Sequence, residues 1–238
     1  MSKGEPGATG PDPAGPIVVR DDPDHPDQGF ADLYAALPPP VDLEPWLSLG
    51  LKARPPVLYL GIGAGRLAIP LWQAGIRLVG VDAHPGMLKR LTAVLPDIQV
   101  HRSRVEDLDL QARFDLVIVP SNILCTTDRL RRAAAHLKPG GRLAFELMNP
   151  HWLRVTTHQD VRVLDFTAER AQIEVDYHPP SGPRYTQVAS VPLVWPERIE
   201  EWLDTAGLQL HRMRPSVEGP LEESPTFYVE AVSAGLSR

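Results

Sequence analysis

Four short apolar runs, at residues 57–60, 78–81, 98–100 and 116–119, with a fifth at 142–147, are separated by helical patterns at 66–74, 85–95 and 128–137. Buried strands alternating with helices of this length indicate crossover connections, in which each helix returns the chain to start a neighbouring parallel strand. The pattern predicts an α/β fold with a mostly parallel sheet and helices on both faces. A length of 238 residues fits one such domain with at most an appendage.

Proline marks the appendage. Nine of the 26 prolines lie in the first forty residues, where Gly4, Gly7, Gly10 and Gly15 accompany the acids Asp21, Asp22, Asp24 and Asp27. Such a stretch buries too little apolar surface to offset chain entropy, so residues 1–28 are expected to form a disordered tail. Phe30, Leu33, Tyr34 and Leu37 then fall at helical spacing and stop at Pro38-Pro39-Pro40. A second short helix is expected at 41–50, where Leu43, Trp46, Leu47 and Leu49 supply apolar surface, making 29–50 a pair of lid helices.

Composition excludes several functions. With 24 Lys+Arg against 30 Asp+Glu the net charge is −6, which offers no broad basic field for nucleic acid or a membrane surface. No apolar run approaches the ~20 residues of a membrane helix, and the N-terminus lacks the apolar stretch of a signal peptide. A single cysteine, Cys125, allows neither an internal disulfide nor a cysteine zinc cage, and the eight histidines show no metal-ligand spacing. The expectation is a cytoplasmic protein, monomeric or homodimeric, that uses no metal.

The turn after the first strand of this alternation carries the chemistry. Gly61-Ile62-Gly63-Ala64-Gly65 links that strand to a helix expected to begin near Arg66. Glycines admit positive φ and let a ligand approach the backbone, and the unpaired N–H groups of a helix start favour an anion. Asp82 stands 21 positions beyond Gly61 at the end of the second strand. A carboxylate there can accept both hydroxyls of a ribose. The G-x-G-x-G spacing departs from the G-x-G-x-x-G of pyrophosphate-binding loops.

That spacing resembles the first motif of class I S-adenosylmethionine-dependent methyltransferases. Val81-Asp82-Ala83-His84-Pro85-Gly86-Met87-Leu88 is similar to the second motif of that family, and Val105-Glu106-Asp107-Leu108 to its adenine-framing segment. Phe114 to Asn122 resembles the fourth strand and the loop beneath the sulfonium, and Leu137-Lys138-Pro139-Gly140-Gly141 the turn into the fifth. Two positions differ. Tyr59 stands where the family usually has a carboxylate for the cofactor's amino group, and Ser103-Arg104 where it has Gly-Asp.

The resemblance implies a Rossmann-like sheet of seven strands in the order 3-2-1-4-5-7-6, with S-adenosylmethionine as cofactor. It places the cofactor against Tyr34, Tyr59, Gly61, Ile62, Gly63, Gly65, Asp82, Ala83, Met87, Val105, Glu106, Pro120 and Ser121. The cofactor-binding core is expected at 55–150. An antiparallel insertion of about three strands follows at 151–195, and a closing helix and hairpin at 196–238. The insertion resembles the substrate platform of small-molecule, amino-sugar-type N-methyltransferases. Trp46 is expected in the roof of the site, with Trp152, Tyr177, Tyr185 and Trp195 around a small-molecule acceptor.

Methyl transfer to a nitrogen or oxygen follows from the resemblance, with His151 as candidate base and Asn122 holding the acceptor or the methionyl end. A hydroxyl acceptor requires a positioned base more than a neutral amine does. The alternative is a non-catalytic nucleoside-binding or scaffolding domain of the same fold. Arg129, Arg131 and Arg132 are expected on the solvated side of a helix.

Overall fold

The computed structural model describes residues 15–22 and 24–233. The first half runs β1 (Ile17–Arg20), α1 (Gln28–Ala36), α2 (Trp46–Lys52), β2 (Val57–Leu60), α3 (Ala68–Gln73), β3 (Leu78–Asp82), α4 (Pro85–Val94) and β4 (Gln99–Arg102). It continues through β5 (Phe114–Val119), α5 (Thr127–Ala134), β6 (Leu137–Met148) and α6 (Pro150–Val155). The remainder is β7 (Val161–Phe166), β8 (Arg170–Tyr177), β9 (Tyr185–Pro192), α7 (Ile199–Asp204), β10 (Leu208–Pro215) and β11 (Thr226–Ser233).

Seven strands form one sheet in the order β10-β11-β6-β5-β2-β3-β4, parallel except where β11 pairs with β6 and β10. Renumbered within that sheet alone, this is the expected 3-2-1-4-5-7-6. Alternate side chains feed two apolar layers. Leu58, Leu60, Val117, Val119, Leu143 and Phe145 meet Leu130 of α5 and Leu203 of α7 on one face. Val57, Tyr59, Leu116 and Ile118 meet Trp46, Leu71 and Leu91 from α2, α3 and α4 on the other. Cover on both faces explains why β2 is buried at every residue and reads as an unbroken apolar run.

The second sheet has the order β1-β9-β8-β7. Its three antiparallel strands are the expected insertion, and the fourth is a correction. Ile17–Arg20, inside the stretch read as a tail, pairs in parallel with Tyr185–Val188 of β9. The segment is held further by Asp27, which caps α1 through Gly29 N and accepts from Arg20 N at 3.0 Å. A chain too polar to fold alone is ordered by the edge it joins. Residues 1–14 and 23 of the expected tail lie outside the described residues.

Two further expectations shift. The helix after the glycine turn begins at Ala68 rather than Arg66, because residues 61–67 are spent on consecutive tight turns. Trp46 does not roof the site. It is buried edge-on to Tyr228, with ring centroids 5.5 Å apart, and α2 lies on the sheet face. Among the described residues, no helix is long and apolar enough to cross a membrane.

His136, just beyond α5, ties the β4–β5 connection to this framework. It is 2% exposed, its Nε2 receives Leu110 N–H at 3.0 Å, and Nδ1 sits 2.8 Å from Arg132 O. A backbone donor at Nε2 requires a lone pair there, which fixes a neutral Nδ1–H tautomer. Burial accordingly pushes the imidazole pKa below its ordinary value. The unfolded chain takes up a proton in a pH range where the folded chain still resists it, so stability falls as pH drops through the ordinary imidazole range. Thermal unfolding between pH 7.5 and 5.5 is expected to show this decline, and His136→Gln to flatten it.

Candidate active site

In the seven-stranded sheet the chain runs outward from β2 through β3 to β4, then returns to the other side of β2 with β5. Open α/β sheets form a ligand crevice at such a reversal, outside the carboxyl ends of the strands. Here the loops after β2, β3, β4 and β5 bring together Gly61–Gly65, Asp82–His84, Ser103–Glu106 and Pro120–Cys125.

Asp82 organises the crevice. Its Oδ2 accepts Gly63 N–H and its Oδ1 accepts His84 N–H, each at 2.8 Å. Partial burial raises its pKa, while the His84 and Gly63 amides pull the other way. A carboxylate has about four acceptor sites, so these two amides do not exhaust its capacity. His84 caps α4, accepting Gly86 N–H at 3.1 Å through Nδ1.

The glycines divide their work. Gly61, at φ +72°, lies beneath the Ile123 side chain, which fills the space its own Cβ would take. Gly65 is covered by Leu91 and Ile69. At those two positions the missing side chain makes room for protein packing. Only at Gly63 is the approach open, with Met87 Sδ as the sole near atom, 3.5 Å from an added Cβ. Ile62 is buried and packs against Gly80 of β3.

Over this loop stands α1. Tyr34 packs on Phe30 with centroids 4.8 Å apart and on Tyr177 of the second sheet at 6.4 Å, in an apolar group that includes Ala64 and Met87. Desolvation and Tyr177 hold its phenol pKa well above the ordinary value. Arg66 Nε donates to Pro38 O at 2.8 Å and fastens the end of α1 to the turn. His84 Nε2 lies 2.9 Å from Asp27 O, and Arg104 pairs with Asp24 at 2.5 Å. The N-terminal segment thus crosses the mouth of the crevice. Its Asp21 has a raised pKa, through desolvation and the nearby charge of Asp82.

Other expected residues occupy more specific places. Tyr59 is 4% exposed in the α2–α4 layer, and burial drives its pKa up. Val105 is buried beside the crevice, and Glu106 bonds Arg129 Nε at 2.6 Å. Arg131 and Arg132 are exposed on the solvated side of α5, as expected, and donate to Thr205 O and Glu106 O, whereas Arg129 is partly buried and also donates to Ile123 O. Ala83 and Pro120 are half-buried, and Ser121 is exposed with its hydroxyl on Pro120 O. Asn122 Oδ1 accepts Met148 N–H at 2.9 Å, tying the loop after β5 to the end of β6.

The four expected aromatics do not share one wall. Tyr177 and buried Tyr185 join the α1 group, Trp152 lies against His158, and Trp195 contacts His151 and Phe166. Trp195 and Trp202 also line a cavity of about 380 Å³ with Cys125, Thr126, Leu193 and Arg198. Among the described residues, no cluster of three or more His, Cys, Asp or Glu side chains is placed to hold a metal ion.

Sequence reasoning missed Glu146 on β6. Burial raises its pKa, and it accepts from Thr226 Oγ1 at 2.5 Å. Its strand position was legible, but the tertiary contact that buries it was not.

Residues 57–141 match the family model described as a methyltransferase domain. The chain is 34% identical over 114 residues to a ubiquinone biosynthesis O-methyltransferase of Nitrobacter winogradskyi, an overlap of 44% of this chain and 43% of that protein. The chain therefore spans under half the length of that curated relative. The CcbJ methyltransferase from Streptomyces caelestis superposes with a TM-score of 0.67 at 23% identity, covering 86% of this chain and 96% of that one. The glycopeptide N-methyltransferase MtfA complexed with S-adenosyl-L-methionine gives a TM-score of 0.57 at 20% identity, covering 92% and 93%. The chain shares the fold of these methyltransferases, and its residues 57–141 match the methyltransferase-domain model.

Proposed function

We propose that this chain transfers a methyl group from S-adenosylmethionine to a nitrogen or oxygen of a small molecule. The observation that carries the reading is Asp82, held at the carboxyl end of β3 by Gly63 and His84 amides and retaining acceptor capacity toward the crevice. The open backbone at Gly63 and the apolar neighbours Met87 and Val105 fit an adenosyl group, so the donor set suits the cofactor. When bound, the cofactor supplies an electrophilic methyl on a sulfonium.

In this reading Asp82 accepts the ribose hydroxyls, and the Gly61–Gly65 turn with Ala83 borders the amino-acid end. Met87 and Val105 wall the adenine. Glu106 contributes an acceptor while remaining paired with Arg129. Tyr34 covers the site from α1, Tyr59 supports the turn from below, and Pro120, Ser121 and Asn122 line the side facing the acceptor. The second sheet serves as the acceptor platform. The chain's task is alignment and exclusion of water, since the leaving group needs no activation.

Asp82→Ala is expected to weaken S-adenosylmethionine binding by about 1–3 kcal/mol, the cost of losing charged hydrogen bonds, or roughly 5- to 150-fold in Kd. Asp82→Asn keeps one acceptor and loses less. Calorimetric titration reads both, and an unchanged affinity in Asp82→Ala would contradict the ribose assignment.

A further inference from the structure

Glu146 is a carboxylate without a counter-charge at the edge of the crevice, and the sheet register fixes its place. Gly80 of β3, Tyr59 of β2, Ile118 of β5 and Ala144 of β6 are successive partners across the sheet. Two residues further along each strand, Asp82, Gly61, Pro120 and Glu146 fall in one row at the carboxyl ends, where the crevice opens. Within that row the two acids stand on either side of the glycine turn. Side chains alternate along a strand, so Glu146 is turned to the face that carries Tyr59, Ile118 and Ala144.

Glu146 is half-buried, and within the fold it accepts from Thr226 Oγ1 at 2.5 Å. Among the described residues, no Lys, Arg or His forms an ion pair with it, and no positive charge offsets the rise that burial imposes on its pKa. Tyr59 is 4% exposed, and among the described residues its phenol makes no hydrogen bond. Its Oη is not sealed within the protein, since the sealed side-chain atoms without partners are Arg90 Nε and Arg104 Nε. The charges of Asp82 and Glu146 both act on this phenol, and Arg66 acts in the opposite sense, so the phenol reaches into the space between the two acids. Holding a carboxylate and a phenol out of water without partners is unfavourable, and such groups gather where a ligand completes them.

We infer that Glu146 and Tyr59 form the seat of a primary ammonium group, and that this group is the α-amino group of S-adenosylmethionine. The inference rests on the S-adenosylmethionine reading and deepens it. A carboxylate and a phenol oxygen together offer acceptors to all three ammonium hydrogens. With the ribose on Asp82, the amino-acid chain leads past the Gly61 turn and along the row toward β6. Three strand spacings separate Asp82 from Glu146, roughly 14 Å between backbones, and the two side chains shorten that span. An amine on the methyl acceptor carries the same charge, and the two sources differ in what the cofactor alone reports.

The test titrates the full-length chain and its Glu146→Gln, Glu146→Asp and Tyr59→Phe variants by calorimetry, with no acceptor present. S-adenosylmethionine and S-adenosylhomocysteine carry the α-amino group, whereas 5′-methylthioadenosine lacks the amino-acid end and reports whether each variant keeps its nucleoside site. Glu146→Gln is expected to weaken the first two ligands about 10- to 100-fold, the cost of a charged hydrogen bond, and to leave the third within about twofold. Glu146→Asp, which keeps the charge, recovers part of the loss, and Tyr59→Phe shows the same ligand pattern at about threefold. Unchanged S-adenosylmethionine affinity in Glu146→Gln overturns the inference and leaves the carboxylate to an acceptor amine. An equal loss for 5′-methylthioadenosine also overturns it, because Glu146 then acts through the shape of the crevice. Binding of all three ligands by the parent and the variants alike sinks this inference alone, and binding of none by the parent sinks the cofactor reading with it.

Discussion

Asn149→Ala is expected to destabilise the protein by about 3 kcal/mol, since it strands several buried polar groups at once. Asn149 is fully buried at the junction of β6 and α6. Its Oδ1 accepts His151 N–H at 3.0 Å, and its Nδ2 donates to Leu221 O at 2.6 Å and Ser224 O at 2.9 Å. Alanine restores none of the three bonds and leaves carbonyls of the β10–β11 connection without a donor. Urea unfolding should show a lower midpoint with the slope unchanged. Asn149→Asp keeps the cap but presents acceptors to two carbonyls, so it is expected to rescue little. A loss under about 1 kcal/mol in Asn149→Ala would mean that the loop closes over the gap.

Gly61→Ala should lose stability and cofactor affinity together. At φ +72° an alanine is strained by roughly 1–2 kcal/mol, and its methyl takes the space of Ile123 Cδ1. Ile123 then moves, carrying the loop that Asn122 anchors to Met148. Gly75 supplies the control. It is also left-handed, at φ +95°, but a Cβ there meets nothing within 4 Å. Gly75→Ala should therefore cost a similar backbone strain and leave S-adenosylmethionine affinity unchanged. Equal affinity losses in the two variants would show that Ile123 does not transmit the change to the crevice.

The parallel sheet was legible because burial on both faces writes each strand as a short apolar run bounded by turn residues. Asp82 was legible too, since chain order alone puts it at a strand end beside the glycine turn. What sequence could not supply were contacts between distant positions. Ile17–Arg20 is a strand only because β9 offers an edge, and nothing local in its proline-rich surroundings says so. Arg129 reads as a solvated helical residue until the fold brings Glu106 to within 2.6 Å of it. The same limit hid the contact of Glu197 with His151, 3.1 Å apart and 46 positions away along the chain. Spacing likewise could not show that Ile123 and Leu91 pack where side chains at Gly61 and Gly65 would lie.

The most direct test of the account is calorimetric titration of the unmodified chain with S-adenosylmethionine and S-adenosylhomocysteine, with NAD in parallel. Saturable one-to-one binding of both adenosyl ligands, and none of NAD, is the expected result. No heat from either adenosyl ligand at millimolar concentration, or binding of NAD in their place, would contradict it.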